Sequence, residues 1–310
     1  MYAEHPSDIL SKSVKLADEG YSFALITSLA IEGGAAREVG SLAIVDDSGN
    51  MTGYLSNGCI DRDIRHQAMD ALKSGQKKII RYGVGSRFAD LKLPCGGALS
   101  VLIDPAPDMQ KISHAAAKLV ARKSVSLSFE GVEDLGTQVS KSFTYTPRHR
   151  LVLAGRGAIF RTMSKVGYTT GYDVRLLSPE TEDLAAVSHL SDAPSIHLKT
   201  PNSAQDLSML DAHSAFLTLF HDHDWEPSLL NAALKTPAVF IGSLGSFRTH
   251  EKRRVTLRKM GISEESLLRL RGPIGLVPSL RDAPSIAISA MAEIISAFRI
   301  IDGIAPVAKS

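Results

Sequence analysis

Hydrophobic and polar positions follow two different rhythms along the chain, and the first is that of a small antiparallel sheet. Residues 23–31 and 42–45 are apolar and rich in side chains that favour strands. The turn-forming residues 46–50 follow, and residues 54–55 resume the sheet. Short strands separated by turns, with no helix between them, predict a β-meander rather than a βαβ unit.

A helix follows this meander, and further strands come after it. Apolar residues recur at helical spacing and Gly75 ends the helix. Residues 79–80 begin another strand, and residues 99–103 form the last strand of this region. The apolar stripe of the predicted helix consists of Ile60, Ile64, Ala68 and Ala71.

From residue 151 the rhythm changes to strand–helix alternation. Short apolar strands with helices between them indicate a parallel sheet that is covered on both faces. A last long helix is predicted to start near Asp282. The predicted strands are 151–154, 174–177, 196–198, 215–220 and 238–241.

These patterns predict an α/β protein of two domains. Residues 1–107 are expected to form a smaller α+β N-terminal domain. Residues 108–148 are expected to contribute a connecting helix and two strands, and residues 149–310 a Rossmann-like, doubly wound parallel sheet. A chain of 310 residues agrees with two domains, at about 150 residues per domain.

Composition narrows the class of protein. Hydrophobic residues make up 44% and charged residues 22%, the usual mix of a globular protein with a real core. The net charge of +2 does not favour a nucleic-acid partner. The N-terminus does not resemble a signal peptide, and no apolar run approaches the ~18 residues of a membrane span. We therefore expect a cytoplasmic protein with reduced thiols, without membrane or nucleic-acid association.

The chain has two cysteines, Cys59 and Cys95, and both stand next to glycine on predicted loops. Two thiols cannot form a disulfide scaffold or a four-thiolate zinc site. A thiol on a glycine loop is accessible, and one at a helix start is favoured as thiolate. Either cysteine can instead be a small buried hydrophobe. Thiolates suit soft metals and sulfur transfer.

A glycine turn, Gly155-Arg156-Gly157, connects the first strand of the parallel sheet to a helix. Free N–H groups at a helix start bind phosphate, so we expect an anion site here, although a tight turn without a ligand is the alternative. Phe160 occupies the third glycine position of the dinucleotide motif, and the second strand ends in Ser178 rather than an acidic residue. We therefore do not expect a classical NAD(P) site.

Two further loops are predicted at the same edge of the sheet, since ligands bind beyond the carboxyl ends of parallel strands. The fourth strand leads to His221 and Asp222, which we interpret as polar loop residues rather than a metal site. The fifth leads to a second anion seat at a helix start. The basic positions from Lys252 onward are interpreted as a solvated face. The second seat comprises Ser243, Gly245, Ser246, Arg248 and Thr249.

Together these segments resemble a known family. The runs 37–40, 56–59 and 93–97 resemble the N-terminal domain of the XdhC/CoxI family, the xanthine dehydrogenase accessory factors. Four segments are similar to its C-terminal Rossmann domain, namely the Gly155 turn, the loop of His221 and Asp222, and the runs 242–250 and 273–276. The first cysteine motif departs from the family pattern in having Asn57, and the Gly155 turn departs in having Arg156.

The resemblance implies a chaperone without turnover of its own. Such proteins bind and protect molybdenum cofactor, support its sulfuration and deliver it to a xanthine dehydrogenase-type molybdenum hydroxylase. A cysteine desulfurase is a further implied partner, and a homodimer is expected. Cys59 and Cys95 are the implied ligands to molybdenum. The other implied cofactor-binding residues are Arg37, Asn57, Gly58, Gly96, Gly97, Gly155, Arg156, Gly157, His221, Asp222 and those of the second anion seat.

Two other functions remain open from the residues alone. An NAD(P)-dependent oxidoreductase would bind its cofactor at the glycine turn, although Ser178 and Phe160 depart from the dinucleotide motif and argue against this function. A sulfurtransferase would carry a persulfide on Cys59 or Cys95.

Overall fold

The structure is a computed structural model that describes residues 5–34, 37–56, 58–86, 96–133, 136–201, 205–222 and 224–301. The chain separates into two compact units between Pro147 and Arg148.

The first unit is a five-stranded antiparallel sheet with helices, plus a two-stranded ribbon. The order of strands in the sheet is β3-β2-β1-β5-β4, and β6 pairs with β7. The helices are α1 (Pro6–Asp18), α2 (Asp61–Ser74) and α3 (Met109–Val120). The strands are β1 (Phe23–Glu32), β2 (Leu42–Asp46), β3 (Met51–Gly53), β4 (Lys78–Gly83), β5 (Ala98–Asp104), β6 (Val125–Val132) and β7 (Gln138–Tyr145).

The predicted meander is present as β1, β2 and β3, but β3 ends at Gly53 and leaves Tyr54 and Leu55 outside the strand. Burial of Leu55, which is 2% exposed, accounts for the apolar position that suggested a strand there. The connector was expected at residues 108–148, and its helix and ribbon pack within this unit, which ends at Pro147. Their apolar side chains enter the core that α1 shares with the sheet, through Ile112, Ala115, Leu119, Leu127, Phe129 and Tyr145.

The second unit is a six-stranded parallel sheet with the order β10-β9-β8-β11-β12-β13. This is the 3-2-1-4-5-6 order of a doubly wound Rossmann sheet, so the predicted fold class is confirmed. The helices are α4 (Gly157–Thr169), α5 (Thr181–Val187), α6 (Glu226–Ala233), α7 (Phe247–Lys259), α8 (Glu264–Leu268) and α9 (Ala283–Ile301). The strands are β8 (Arg150–Gly155), β9 (Asp173–Ser178), β10 (Ile196–His197), β11 (Ser214–Leu219), β12 (Phe240–Ser243) and β13 (Leu270–Arg271).

Helix α4 approaches the sheet most closely at a glycine that the motif does not include. A Cβ on Gly167 would lie 2.5 Å from the side chain of Leu151 in β8. Phe160, which takes the third glycine position of the dinucleotide motif, is fully buried in the core of this unit. The close contact between α4 and β8 therefore lies about two helical turns after the position of the third glycine in the dinucleotide motif.

Among the described residues, one helix is long and apolar enough to cross a membrane by length and composition, namely α9. The sequence pattern did not lead us to expect this. One stripe of the helix packs in the hydrophobic core of the second unit, as in the core helix of a globular domain. That stripe consists of Ala287, Ala290, Met291, Ile294 and Phe298.

Candidate functional site

The loop between β3 and α2 presents the first candidate thiol. Cys59 is exposed, whereas the next residue, Ile60, is buried and precedes the first residue of the helix, Asp61. Gly58 has a φ of +91°, a conformation that favours glycine over other residues. The thiol therefore lies just before a helix start, as predicted. Asn57 lies outside the described residues.

A cavity of about 810 Å³ adjoins this thiol. Arg62 and Arg65 line it and are both exposed, and neither has an ion-pair partner among the described residues. The side chain of Asp63 also lines the cavity, but its carboxylate accepts a hydrogen bond of 2.7 Å from the hydroxyl of Tyr82. The remaining lining residues are Ser48, Gly49, His66 and Met69. The cavity thus combines a thiol with two guanidinium groups.

The second cysteine motif enters the sheet where β1 and β4 end and β5 begins. Gly97 precedes β5, and its backbone packs against Gly33 and Gly83, at which an added Cβ would lie 3.1 Å and 2.1 Å from Gly97 atoms. Glycine is therefore required at this crossing. Gly96 has a φ of +68°. Cys95 lies outside the described residues, so its place relative to Cys59 stays a prediction.

Arg37 belongs to a different part of the first unit. Its guanidinium lies 4.8 Å from the ring centroid of Tyr54. It lines a cavity of about 440 Å³ with residues of β7, and this cavity does not share lining residues with the one beside Cys59. The Tyr145 hydroxyl donates a 2.9 Å hydrogen bond to the Gly40 carbonyl, which ties the loop to β7. Burial raises the pKa of this phenol.

The glycine turn of the Rossmann unit already holds a carboxylate of the protein. Helix α4 begins at Gly157, whose N–H donates a 2.6 Å hydrogen bond to Asp183. The other carboxylate oxygen of Asp183 is bonded by Arg161, and the Asp183 residue is 3% exposed. This buried carboxylate stands where a bound phosphate would accept the same N–H. Gly155 is buried beneath, where an added Cβ would lie 2.6 Å from Leu219.

Arg156 connects the two loops at the switch point of the sheet. Its guanidinium pairs with Glu180 at 3.1 Å and with Asp222 at 2.7 Å. His221 is exposed next to Asp222, and His223 lies outside the described residues. Among the described residues, no group of three or more His, Cys, Asp or Glu side chains is placed to hold a metal ion.

The second anion seat is a capped helix start over a buried polar network. Ser246 is the N-cap of α7 and accepts a hydrogen bond from the Thr249 N–H at 3.2 Å. Arg248 is exposed, whereas the Ser243 hydroxyl is buried and bonds Thr218 at 2.7 Å. Gly245 has a φ of +139°. The geometry leaves Arg248 as the accessible cation of this seat.

Arg253 corrects the expectation of a solvated basic face on α7. Its side chain is 3% exposed and forms an ion pair of 2.8 Å with Glu226, which is 1% exposed. It also donates a 2.9 Å hydrogen bond to the carbonyl of Leu244. Thr218 donates to the same glutamate at 3.0 Å. The buried pair therefore fixes the loop that carries the second anion seat.

His250 occupies the same helix and is 6% exposed. Burial, together with the charges of Arg253 and Arg254, lowers the pKa of His250 below its usual value of 6.5, and Glu251 opposes the shift. An added Cβ on Gly272 would lie 2.2 Å from the ring, so the imidazole packs directly on that backbone.

Comparisons with known proteins follow the same division of the chain. A model of the XdhC and CoxI family matches residues 16–83, and a model of the XdhC Rossmann domain matches residues 151–294. The chain is 30% identical over 299 residues to the molybdenum cofactor insertion chaperone PaoD of Escherichia coli strain K12, covering 93% of this chain and 87% of that protein. The chain belongs to the XdhC and CoxI family.

Two more proteins extend the XdhC and CoxI comparison. The uncharacterized protein YqeB of Escherichia coli strain K12 is 22% identical over 289 residues, which span 93% of this chain and 46% of YqeB. A crystal structure of a xanthine dehydrogenase from Bacillus halodurans matches with a TM-score of 0.76 and 20% identity, over 96% of both chains. At that identity the likeness shows the fold alone.

Four residues of these sites were not found from the sequence, namely Asp61, Asp183, Glu226 and Arg253. Each is a charged residue whose partner is set by the fold. The signal available for Asp61 was its position two residues after Cys59, at a helix start. Asp183 and Glu226 gave no local signal, because the arginines that pair with them lie 22 and 27 residues away.

Proposed function

We propose that this protein binds molybdenum cofactor, protects it and delivers it to a xanthine dehydrogenase-type molybdenum hydroxylase. The observation that carries the proposal is the 30% identity, across 93% of the chain, to a protein named as a molybdenum cofactor insertion chaperone. The accessible thiol beside two guanidinium groups supports it, since the donor set suits an anionic ligand with a soft metal.

The residues present fit such a ligand. A cavity of about 810 Å³ is within the usual range for small-molecule sites. Cys59 would hold or shield the metal end of the cofactor, and Arg62 and Arg65 would bind its anionic groups. Within the second unit, Asp183 already accepts the N–H at the start of α4, so the helix start at Ser246 and Arg248 is the more open anion seat.

A delivery assay tests this proposal. The protein is loaded with molybdenum cofactor without oxygen and mixed with a cofactor-free molybdenum hydroxylase, whose recovered activity is measured. Free cofactor without the chaperone is the reference. We expect faster or more complete activation with the protein, and a much weaker effect with a Cys59→Ser, Cys95→Ser variant. Equal activation with and without the protein would contradict the proposal.

Sulfuration of the cofactor is a finer part of the proposal, with a cysteine desulfurase as the partner. Cys59 is exposed, so its thiolate can attack the outer sulfur of a desulfurase persulfide. A new S–S bond then forms on Cys59, and the desulfurase cysteine leaves as a thiolate. Mass spectrometry after incubation with desulfurase and free cysteine should show one added sulfur atom on Cys59. No adduct on either cysteine would remove this step.

An NAD(P)-dependent oxidoreductase is the competing function. Asp183 argues against it, because a diphosphate would have to displace a buried, paired carboxylate from the Gly157 N–H. Titration of the protein with NADH and NADPH, followed by nicotinamide fluorescence, should give no saturable signal. Saturation at micromolar concentration would favour the oxidoreductase.

The cellular setting completes the proposal. We infer a cytoplasmic homodimer that acts by binding and release, without turnover of its own. Light scattering coupled to size exclusion tests the oligomeric state, and a monomer at micromolar concentration would remove that part alone.

A further inference from the structure

The carboxylate of Asp61 is the centre of the loop that carries Cys59. One of its oxygens accepts hydrogen bonds from the N–H groups of Leu55 at 3.0 Å and Ser56 at 3.1 Å. The other accepts from the Ser56 hydroxyl at 2.9 Å and from the Gly58 N–H at 3.0 Å. Four donors of the loop therefore converge on one side chain, and bonds to a charged acceptor are about twice as strong as neutral ones.

The Ser56 hydroxyl extends this arrangement to the residue after the thiol. While it donates to Asp61, it accepts a hydrogen bond of 3.1 Å from the N–H of Ile60. Leu55 and Ile60 are 2% and 1% exposed, so both ends of the loop are anchored in the core. Cys59 lies between two held positions, Gly58 and Ile60. The direction of its side chain is thereby restricted.

Hydrogen bonds within the protein occupy the acidic side chains near the thiol and leave the basic ones open. Residues 61–66 include two acids and two arginines, and both carboxylates are bound within the protein, Asp61 by the loop and Asp63 by Tyr82. Arg62 and Arg65 instead line the open cavity beside the thiol. The acid closest to the thiol thus shapes the loop rather than opposing an anionic ligand.

We propose that Asp61 is a positioning residue that orients the Cys59 thiol for the cofactor. The inference rests on the proposed function, because it assumes that Cys59 contacts the molybdenum cofactor. Asp61 itself acts on Leu55, Ser56 and Gly58 and does not touch the ligand.

The test compares variants of the loop with one matched control. Asp61→Asn keeps the size of the side chain but replaces one accepting oxygen with an NH₂ group, so some of the four hydrogen bonds are lost. Asp61→Glu keeps the carboxylate on a longer chain and serves as the conservative rescue. Ser56→Ala removes one donor and is the milder variant if Asp61→Asn does not fold. Asp70→Asn is the control, since Asp70 lies on the same helix, does not line the cavity, and has its carboxylate 3.5 Å from His66.

The measurement is the dissociation constant of molybdenum cofactor for each full-length variant, determined without oxygen and alongside the melting temperature. We expect Asp61→Asn to bind about tenfold more weakly, Ser56→Ala about threefold more weakly, and Asp61→Glu to recover part of the loss. Asp70→Asn should match the wild type. In a Cys59→Ser background, Asp61→Asn should cause no further loss, because both changes act through the same thiol.

Each outcome decides between the two claims. If the wild-type protein does not bind the cofactor, the proposed function fails before Asp61 is tested. If it binds, and Asp61→Asn and Ser56→Ala bind equally well, the role of Asp61 is overturned. Losses that persist in the Cys59→Ser background would also overturn it, since Asp61 would then support only the fold.

Discussion

At the scale of single residues, the buried charges of the second unit are the least visible in the sequence. Arg253 stands in a basic run that is typical of a solvated helix face, yet its side chain is 3% exposed. Its partner, Glu226, precedes it by 27 residues. Removing one partner of such a pair leaves an uncompensated buried charge, which is costly.

We therefore predict that Glu226→Gln lowers the free energy of unfolding by about 3–5 kcal/mol, measured by urea denaturation. Glu264→Gln is the control, because Glu264 pairs with Arg258 at the surface of the same unit and should leave stability little changed. A loss below about 0.5 kcal/mol for Glu226→Gln would show that the pair does not hold this loop.

The lowered pKa of His250 predicts how the stability of the protein depends on pH. Burial and the neighbouring arginines lower its pKa below 6.5 in the folded protein, so between the two pKa values the unfolded chain binds a proton that the folded protein does not. Stability should therefore fall as the pH drops through about 6.5 towards the lowered pKa of the folded protein. His250→Asn should flatten this dependence, whereas the exposed control His189→Asn should not. An unchanged slope in His250→Asn would contradict the account.

At the scale of helices and strands, α2 carries the two arginines that line the cavity beside the thiol. We predict that Arg62→Gln with Arg65→Gln weakens binding of molybdenum cofactor about tenfold, because charged contacts to the ligand are lost. The difference from wild type should shrink at high salt, where exposed charges are screened. Lys73→Gln, at the exposed end of the same helix, is the control. Unchanged affinity in the double variant would show that these arginines are solvated side chains that do not contact the ligand.

Periodicity predicted most of the elements, and the misses have physical causes. The helices α2 and α9 were found because they are long, and the strands β8, β9 and β11 because they contain short apolar runs. Strand β13 was missed because two residues carry no period. The glycine turn before α4 was recognised, but its occupant was not, since Asp183 reaches it from the next helix.

At the scale of the whole molecule, the sequence motifs of both units belong to one family. The meander with its cysteine loop and the Rossmann sheet with its two loops were each predicted from local pattern. The roles of Asp61, Asp183 and Arg253 were not predicted, because the contacts of these three charged residues form only in the fold. The fold was thus more predictable than the site.

The central claim is that this chain binds molybdenum cofactor. The most direct measurement is elemental and pterin analysis of the protein, purified without oxygen and then reconstituted with the cofactor, with Cys59→Ser as the comparison. The account predicts molybdenum and pterin in equal molar amounts on the wild-type protein, and less of both on the variant. Absence of both from the wild-type protein after reconstitution would contradict it.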